Sequence, residues 1–221
     1  FDNRDIGLSD WIEPSVWEAN PYSLEDMAAD AIGLLDRLKI EKAHIIGASM
    51  GGAIAQRIAI SYPSYTRSLS SMLSFAEANR LSFNPNLLPE FDRSQTPPVE
   101  IQLQFWKMLT GSGFPFDEQR YRDLYHQGFE VREGYNPHCI THQLTAIHRS
   151  GSRMNELDSI KVPTLVVHGT EDPLIPEAHA SVYVQKIPKG TYLALDGVGH
   201  EIPEGICPTV LSAIFDLFDK V

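Results

Sequence analysis

A serine flanked by glycines, followed far downstream by an acid and then a histidine, supplies the residue types that acyl transfer requires. Gly47-Ala48-Ser49-Met50-Gly51 lies between an apolar run, His44-Ile45-Ile46, and a helix-like stretch from Gly52 to Ser61. That strand, sharp turn and helix setting gives a G-x-S-x-G match its meaning and makes Ser49 the candidate nucleophile. Glycine is expected on both sides because the serine sits in a strained turn, where a neighbouring Cβ would strike the adjacent strand or helix. The same turn would aim the Met50 backbone N–H at a developing oxyanion. Alone, the pattern equally suits an ordinary glycine-rich turn carrying a surface serine, so the downstream residues decide.

Val162-Pro163-Thr164-Leu165-Val166-Val167-His168-Gly169-Thr170-Glu171-Asp172-Pro173-Leu174-Ile175-Pro176 reads as a buried β-branched strand entering a turn rich in glycine, acid and proline. Asp172 then lies in a loop at the carboxyl end of a strand. Thr191-Tyr192-Leu193-Ala194-Leu195-Asp196-Gly197-Val198-Gly199-His200-Glu201 is a second short strand whose following loop carries His200. Nucleophile, acid and base thus follow three strands in the order Ser49, Asp172, His200. In a parallel sheet such residues converge on one edge, where ligands bind.

Other groups compete for these roles. Asp196 stands four residues before His200 and could orient it, and Glu77 follows the next strand candidate; the loop position of Asp172 is the better one. His168, at a strand end beside a glycine, is expected to make a loop hydrogen bond. His138 and His142 have i, i+4 spacing with Cys139 beside them, but no third metal ligand follows at suitable spacing, so both are expected to be solvated. Phe105, Trp106, Phe114 and Phe116 are expected in the core of the cap, and an acyl or alkyl pocket would draw its walls from Phe75, Phe105, Trp106 and Phe114.

The elements that must position these residues alternate. Ser23-Leu24-Glu25-Asp26 caps a helix with Met27, Ala31, Leu34, Leu35 and Leu38 on one face. Tyr62-Pro63 ends the helix after Ser49, and Ser68 to Phe75 is the next strand. From 77 to 158 the strand signal fades. Ile101, Phe105, Met108 and Leu109 mark one helix, Gly128 ends another containing Leu124 and Tyr125, and Asn136-Pro137 starts a third with Ile140, Leu144 and Ile147 on its face. The sheet pattern resumes at Val162, and the last helix, Pro208 to Phe218, turns Val210, Leu211, Ile214 and Phe218 inward. The pattern predicts an α/β core over 1–76 and 159–221, a mostly parallel sheet flanked by helices, with a helical cap inserted over 77–158.

These residues carry a family resemblance. The chain resembles the α/β-hydrolases and, among them, the aclacinomycin methylesterase-like carboxylesterases. Asp2-Asn3-Arg4-Asp5-Ile6-Gly7-Leu8-Ser9 is similar to the D-x-R-(G/D)-x-G-x-S loop after the fourth strand of that fold. Gly47 to Gly52 matches its nucleophile elbow in the S-M-G-G form, His168-Gly169-x-x-Asp172-x-x-Ile175-Pro176 its acid loop, and Gly199-His200 its histidine loop. Asn136-Pro137 and Ser150-Gly151-Ser152-Arg153 are similar to the cap-to-core connection of the methylesterase branch. The resemblance implies a serine esterase with Ser49, Asp172 and His200 as its triad and Met50 N–H as one oxyanion donor. C–C bond hydrolases and perhydrolases share such elbows, and some members of the fold are non-catalytic small-molecule receptors.

The resemblance also implies what should precede Phe1: early strands, and a His-Gly turn supplying the second oxyanion N–H. Without them the Ser49 strand is an open sheet edge, which an upstream segment or a second copy in a homodimer would cover. One missing donor costs about 2.7–4 kcal/mol in kcat.

Composition sets the outer bounds. At 221 residues and 43% hydrophobic, the chain suffices for one core with an insertion. Its net charge of −11 repels phosphate backbones and anionic membrane surfaces, so neither nucleic acid nor membrane is expected as a partner. Cys139 and Cys207 are expected to be reduced thiols in a cytoplasmic protein. The expected partner is a small-molecule ester, with no metal or organic cofactor.

Overall fold

The computed structural model describes residues 1–78, 98–132, 136 and 138–221. Four strands form one parallel sheet in sequential order: β1 (Ala43–Ala48), β2 (Thr66–Met72), β3 (Thr164–Gly169) and β4 (Gly190–Leu195). Parallel neighbours need crossovers, and helices supply them. Helix α1 (Pro14–Ala19) and α2 (Leu24–Leu38) precede β1, and α3 (Met50–Ser61) joins β1 to β2. Helices α4 (Pro98–Leu109), α5 (Glu118–Tyr125) and α6 (Cys139–Arg149) lie between β2 and β3. α7 (Glu177–Tyr183) joins β3 to β4, and α8 (Cys207–Phe218) closes the chain.

β3, with a neighbour on each side, is buried along its whole length, as its Leu-Val-Val run requires. β1 pairs with β2 alone among the described residues, and Ile46 is exposed. The main core packs Leu24, Met27, Ala28 and Ile32 of α2 against Ala53, Ile54 and Ile58 of α3, with Phe75, Ala146, Ile147 and Ile175. A second cluster joins Leu69 and Val166 to Tyr183 and Val184, and a third joins Leu165, Val167 and Leu195 to Val210, Ile214 and Leu217.

α2 begins as expected: Ser23 and Asp26 form a reciprocal capping box. Several helix faces differ from the periodicity. On α2 Met27 is buried and Ala31 and Leu35 pack against the core as expected, but Leu38 is exposed, and Leu24, Ala28 and Ile32 are buried beside Met27. On α6 Ile140 and Leu144 face solvent, and the buried side is Cys139, His142, Ala146 and Ile147. On α8 Leu211 is exposed and Leu217 buried. Gly128 ends no helix; it lies within a wider turn, His126–Val131, that continues from α5, and Leu124 is exposed. Of the Asn136-Pro137 pair, Pro137 lies outside the described residues, whereas Asn136 accepts from the Cys139 N–H through its carbonyl oxygen, at 3.2 Å.

The expectation that His138 and His142 are both solvated fails for His142. It is buried, its Nδ1 lies 2.8 Å from the fully buried Asp5 Oδ2, and Trp17 stacks on its ring at 4.3 Å. A buried polar ring needs such partners. The 1–12 loop is thereby fastened to α6, and the Arg4–Asp30 ion pair at 2.6 Å fastens it to α2.

Candidate active site

β1 ends one residue before Ser49, and α3 starts one residue after it. The chain therefore reverses on the serine, which adopts φ 53° and ψ −122°, a left-handed conformation costly for a residue with a side chain. Hydrogen bonds on both sides hold it there. Ser49 N–H donates to the Met72 carbonyl at 2.8 Å, and the Ser74 hydroxyl donates to the Ser49 carbonyl at 2.7 Å. A Cβ at Gly47 would collide with the Gly51 carbonyl, and one at Gly52 with the Ser74 side chain. Gly51, by contrast, has open space where a Cβ would go. The downstream glycine on which this close approach depends is thus Gly52, not the Gly51 of the five-residue pattern.

Met50 is the first residue of α3, so its N–H has no acceptor within the helix and belongs to the positive end of the helix dipole.

Asp172 sits three residues beyond β3, and each of its carboxylate oxygens has its own work. Oδ1 accepts the Leu174 and Ile175 N–H groups at 2.9 and 2.8 Å. Oδ2 faces His200 Nδ1 at 2.7 Å and His168 Nε2 at 3.3 Å. Burial alone would raise this carboxyl, but hydrogen bonds from His168 and His200, the His200 charge and the Ile175 N–H outweigh it and hold the pKa at about 2. His168 Nε2 also points at the Ile175 carbonyl, 2.9 Å away, which makes it a shared donor; the expected loop hydrogen bond of His168 is present.

His200 lies five residues beyond β4 and is buried; its Nε2 is 2.9 Å from Ser49 Oγ. With Nδ1–H directed at Asp172, Nε2 is left as the acceptor for the serine hydroxyl. Ser49, His200 and Asp172 are thus joined in one hydrogen-bonded row across the carboxyl ends of β1, β3 and β4. Neither rival acid joins it: Asp196 is exposed, and Glu77 accepts from the Ser152 hydroxyl at 3.0 Å.

The aromatic residues expected around a pocket have different surroundings. Phe75 lies wholly inside the main core, under the Arg153 guanidinium at 5.6 Å. Phe105 and Trp106 meet edge to face on α4 at 6.0 Å. Phe114 packs against the third core cluster and lines a cavity of about 220 Å³ with Tyr121, Arg120 and Glu201. Arg153 is expected from the sequence only as part of the Ser150-Gly151-Ser152-Arg153 connection, yet it is fully buried and donates to the Phe75 carbonyl at 2.7 Å, bracing the loop that carries Ser74. A lone arginine in a polar run gives no sequence signal for such burial.

A stability prediction follows from the acid. The folded-state pKa of Asp172 lies below the ordinary 3.8, so the unfolded chain binds more protons between those values. The contribution is fully present above pH 3.8 and disappears as pH falls towards 2. Urea unfolding of the parent and Asp172→Asn should differ by about 2 kcal/mol at pH 6, and the gap should narrow below pH 4. A gap independent of pH down to 2.5 contradicts this reading.

Known proteins resemble this chain over most of its length. The family profile described as alpha/beta hydrolase fold matches residues 1–204. Rhodomycin D methylesterase DnrP of Streptomyces peucetius is 26% identical over 240 residues, covering 97% of this chain and 78% of its own length. The corresponding DauP of Streptomyces sp. strain C5 is 29% identical over 241 residues, with the same coverage of 97% and 78%. Among solved structures, a meta-cleavage product hydrolase from Pseudomonas fluorescens IP01 superposes with a TM-score of 0.76 at 19% identity, over 99% of this chain and 78% of that one. With a profile match over most of its length and a parallel sheet flanked by helices, the chain belongs to the α/β hydrolase fold family.

Proposed function

We propose that this protein is a serine-dependent carboxylic ester hydrolase that acts on neutral, moderately hydrophobic esters through an acyl-enzyme. The observation that carries this reading is the row from Ser49 Oγ to His200 Nε2 at 2.9 Å and from His200 Nδ1 to Asp172 Oδ2 at 2.7 Å. Ser49 Oγ attacks the ester carbonyl carbon while His200 takes its proton. Asp172 holds the tautomer that leaves Nε2 free and stabilises the imidazolium that forms. The tetrahedral intermediate collapses, and its C–O bond to the alcohol breaks as His200 returns the proton to that oxygen. Water then repeats the sequence on the acyl-serine, releasing the acid and regenerating Ser49. Met50 N–H is the assigned donor to the oxyanion, supported by its place at the start of α3.

The two methylesterase relatives support a small alcohol leaving group. The helices between β2 and β3 would serve as the cap, with Phe105, Trp106 and Phe114 offering its apolar surface. The net charge of −11 opposes the approach of anions. A kinetic panel should therefore show kcat/KM about tenfold or more higher for short neutral esters than for carboxylated or phosphorylated analogues. Preference for the anionic group would overturn the substrate class.

A further inference from the structure

The loops that carry the acid and the base are bonded to the helical insertion as well as to each other. The His200 backbone N–H donates to the carbonyl of Leu109, the last residue of α4, at 2.8 Å. Four residues on, Gly113 N–H donates to the Gly197 carbonyl at 2.8 Å. Glycines make this approach possible. A Cβ at Gly199 would collide with the Leu109 carbonyl, and one at Gly111 with the Gly197 carbonyl. Ser112 holds the residue before the acid: its N–H and hydroxyl donate to the two Glu171 carboxylate oxygens at 2.6 and 2.7 Å. Glu171 N–H donates in turn to the Val198 carbonyl at 2.9 Å.

A second tie lies beside the imidazole. The Tyr121 hydroxyl of α5 donates to the carboxylate of Glu201, the residue after His200, and both side chains are buried. Tyr121 is stacked between Trp106 and Phe116, each at 5.1 Å, so its ring cannot swing away without breaking both contacts. Burial, with the hydrogen bond to Glu201 and its charge, pushes the phenol's pKa up and keeps it a donor. Arg120 adds a contact from Nη1 to the Ile202 carbonyl at 3.3 Å.

We infer that Tyr121 and Glu201 are positioning residues for His200, and that the Leu109–Gly113 segment is the seat on which the histidine loop rests. The inference rests on the esterase reading for its kinetic consequence only. Asp172 fixes the imidazole's tautomer, while the insertion fixes where the backbone of His200 lies relative to Ser49. A displacement of about 1 Å at a catalytic group can cost on the order of 100-fold.

Tyr121→Phe preserves the stacked ring and removes the hydroxyl alone. It should leave KM close to the parent's, lower the unfolding midpoint because the buried Glu201 carboxylate loses its donor, and lower kcat roughly tenfold. Glu201→Gln, which keeps an acceptor for the phenol, should retain most of kcat, whereas Glu201→Leu should lose as much as Tyr121→Phe. Gly199→Ala, which wedges the seat apart, should lose on the order of 100-fold. The low-field proton resonance of His200 Nδ1–H, measured on the same proteins, reads the geometry without turnover. It should broaden or shift in Tyr121→Phe and stay at the parent position in Glu201→Gln. If Tyr121→Phe folds with resonance and kcat both unchanged, the positioning role is wrong. A resonance that moves in a protein without esterase turnover upholds the seat and removes the esterase reading instead.

Discussion

Ser49→Ala should abolish ester turnover, with kcat falling on the order of 10⁶-fold, while the protein remains folded. The size follows from what the hydroxyl does. In the proposed mechanism Oγ is the atom that bonds to the acyl carbon, and no other hydroxyl is hydrogen-bonded to His200 among the described residues. What remains after its loss is the weak catalysis of oriented water and the Met50 N–H. Folding should survive because the elbow is held through the backbone of residue 49, whose carbonyl accepts from Ser74 and whose N–H donates to Met72. Alanine keeps both groups and meets the same positive φ. Hydrolysis of a p-nitrophenyl ester, followed with circular dichroism on the same sample, checks the result. Residual activity within tenfold of the parent would place the nucleophile elsewhere.

His200→Ala should cost as much as Ser49→Ala, because in the proposed mechanism the imidazole acts in every proton transfer. Asp172→Asn should cost about 10⁴-fold, less than the loss of the base, because an amide in that position favours the wrong tautomer but leaves the ring in place. The structure sharpens the expectation for Asp172. Its Oδ1 also holds the Leu174 and Ile175 N–H groups, which an asparagine carbonyl can still accept, so the loop should persist and the loss should fall on kcat. Steady-state kinetics of the three variants with Asp196→Asn and Glu77→Gln resolve the order. If either of the last two were crippled while Asp172→Asn turned over normally, the acid would be misassigned.

Much of this site was legible in the sequence because its three residues stand at strand ends, and a short β-branched run bounded by glycine and proline announces both the strand and its exit. Asp172 was separable from Asp196 by its place in the turn after the strand together with its match to the acid loop of the family it resembles. The parts that were not legible depend on contacts between distant segments. Periodicity shows that a helix has an apolar face but not the angle from which its neighbour approaches, so α6 turns out to bury His142 against Asp5 and Trp17 and leave Ile140 and Leu144 in solvent. Gly51 and Gly52 are indistinguishable as letters, and only the position of Ser74 makes the second one necessary. Tyr121 and Glu201 are 80 residues apart, each an ordinary surface residue by type until the fold buries them together.

The central claim is that Ser49 is a nucleophile activated by His200, and intact-mass analysis after exposure to a fluorophosphonate tests it without any choice of ester. The account predicts a single adduct on the parent, located on the peptide containing Ser49, formed far more slowly in His200→Ala and not at all in Ser49→Ala. An adduct that forms undiminished in Ser49→Ala, or that maps to another residue, would contradict it.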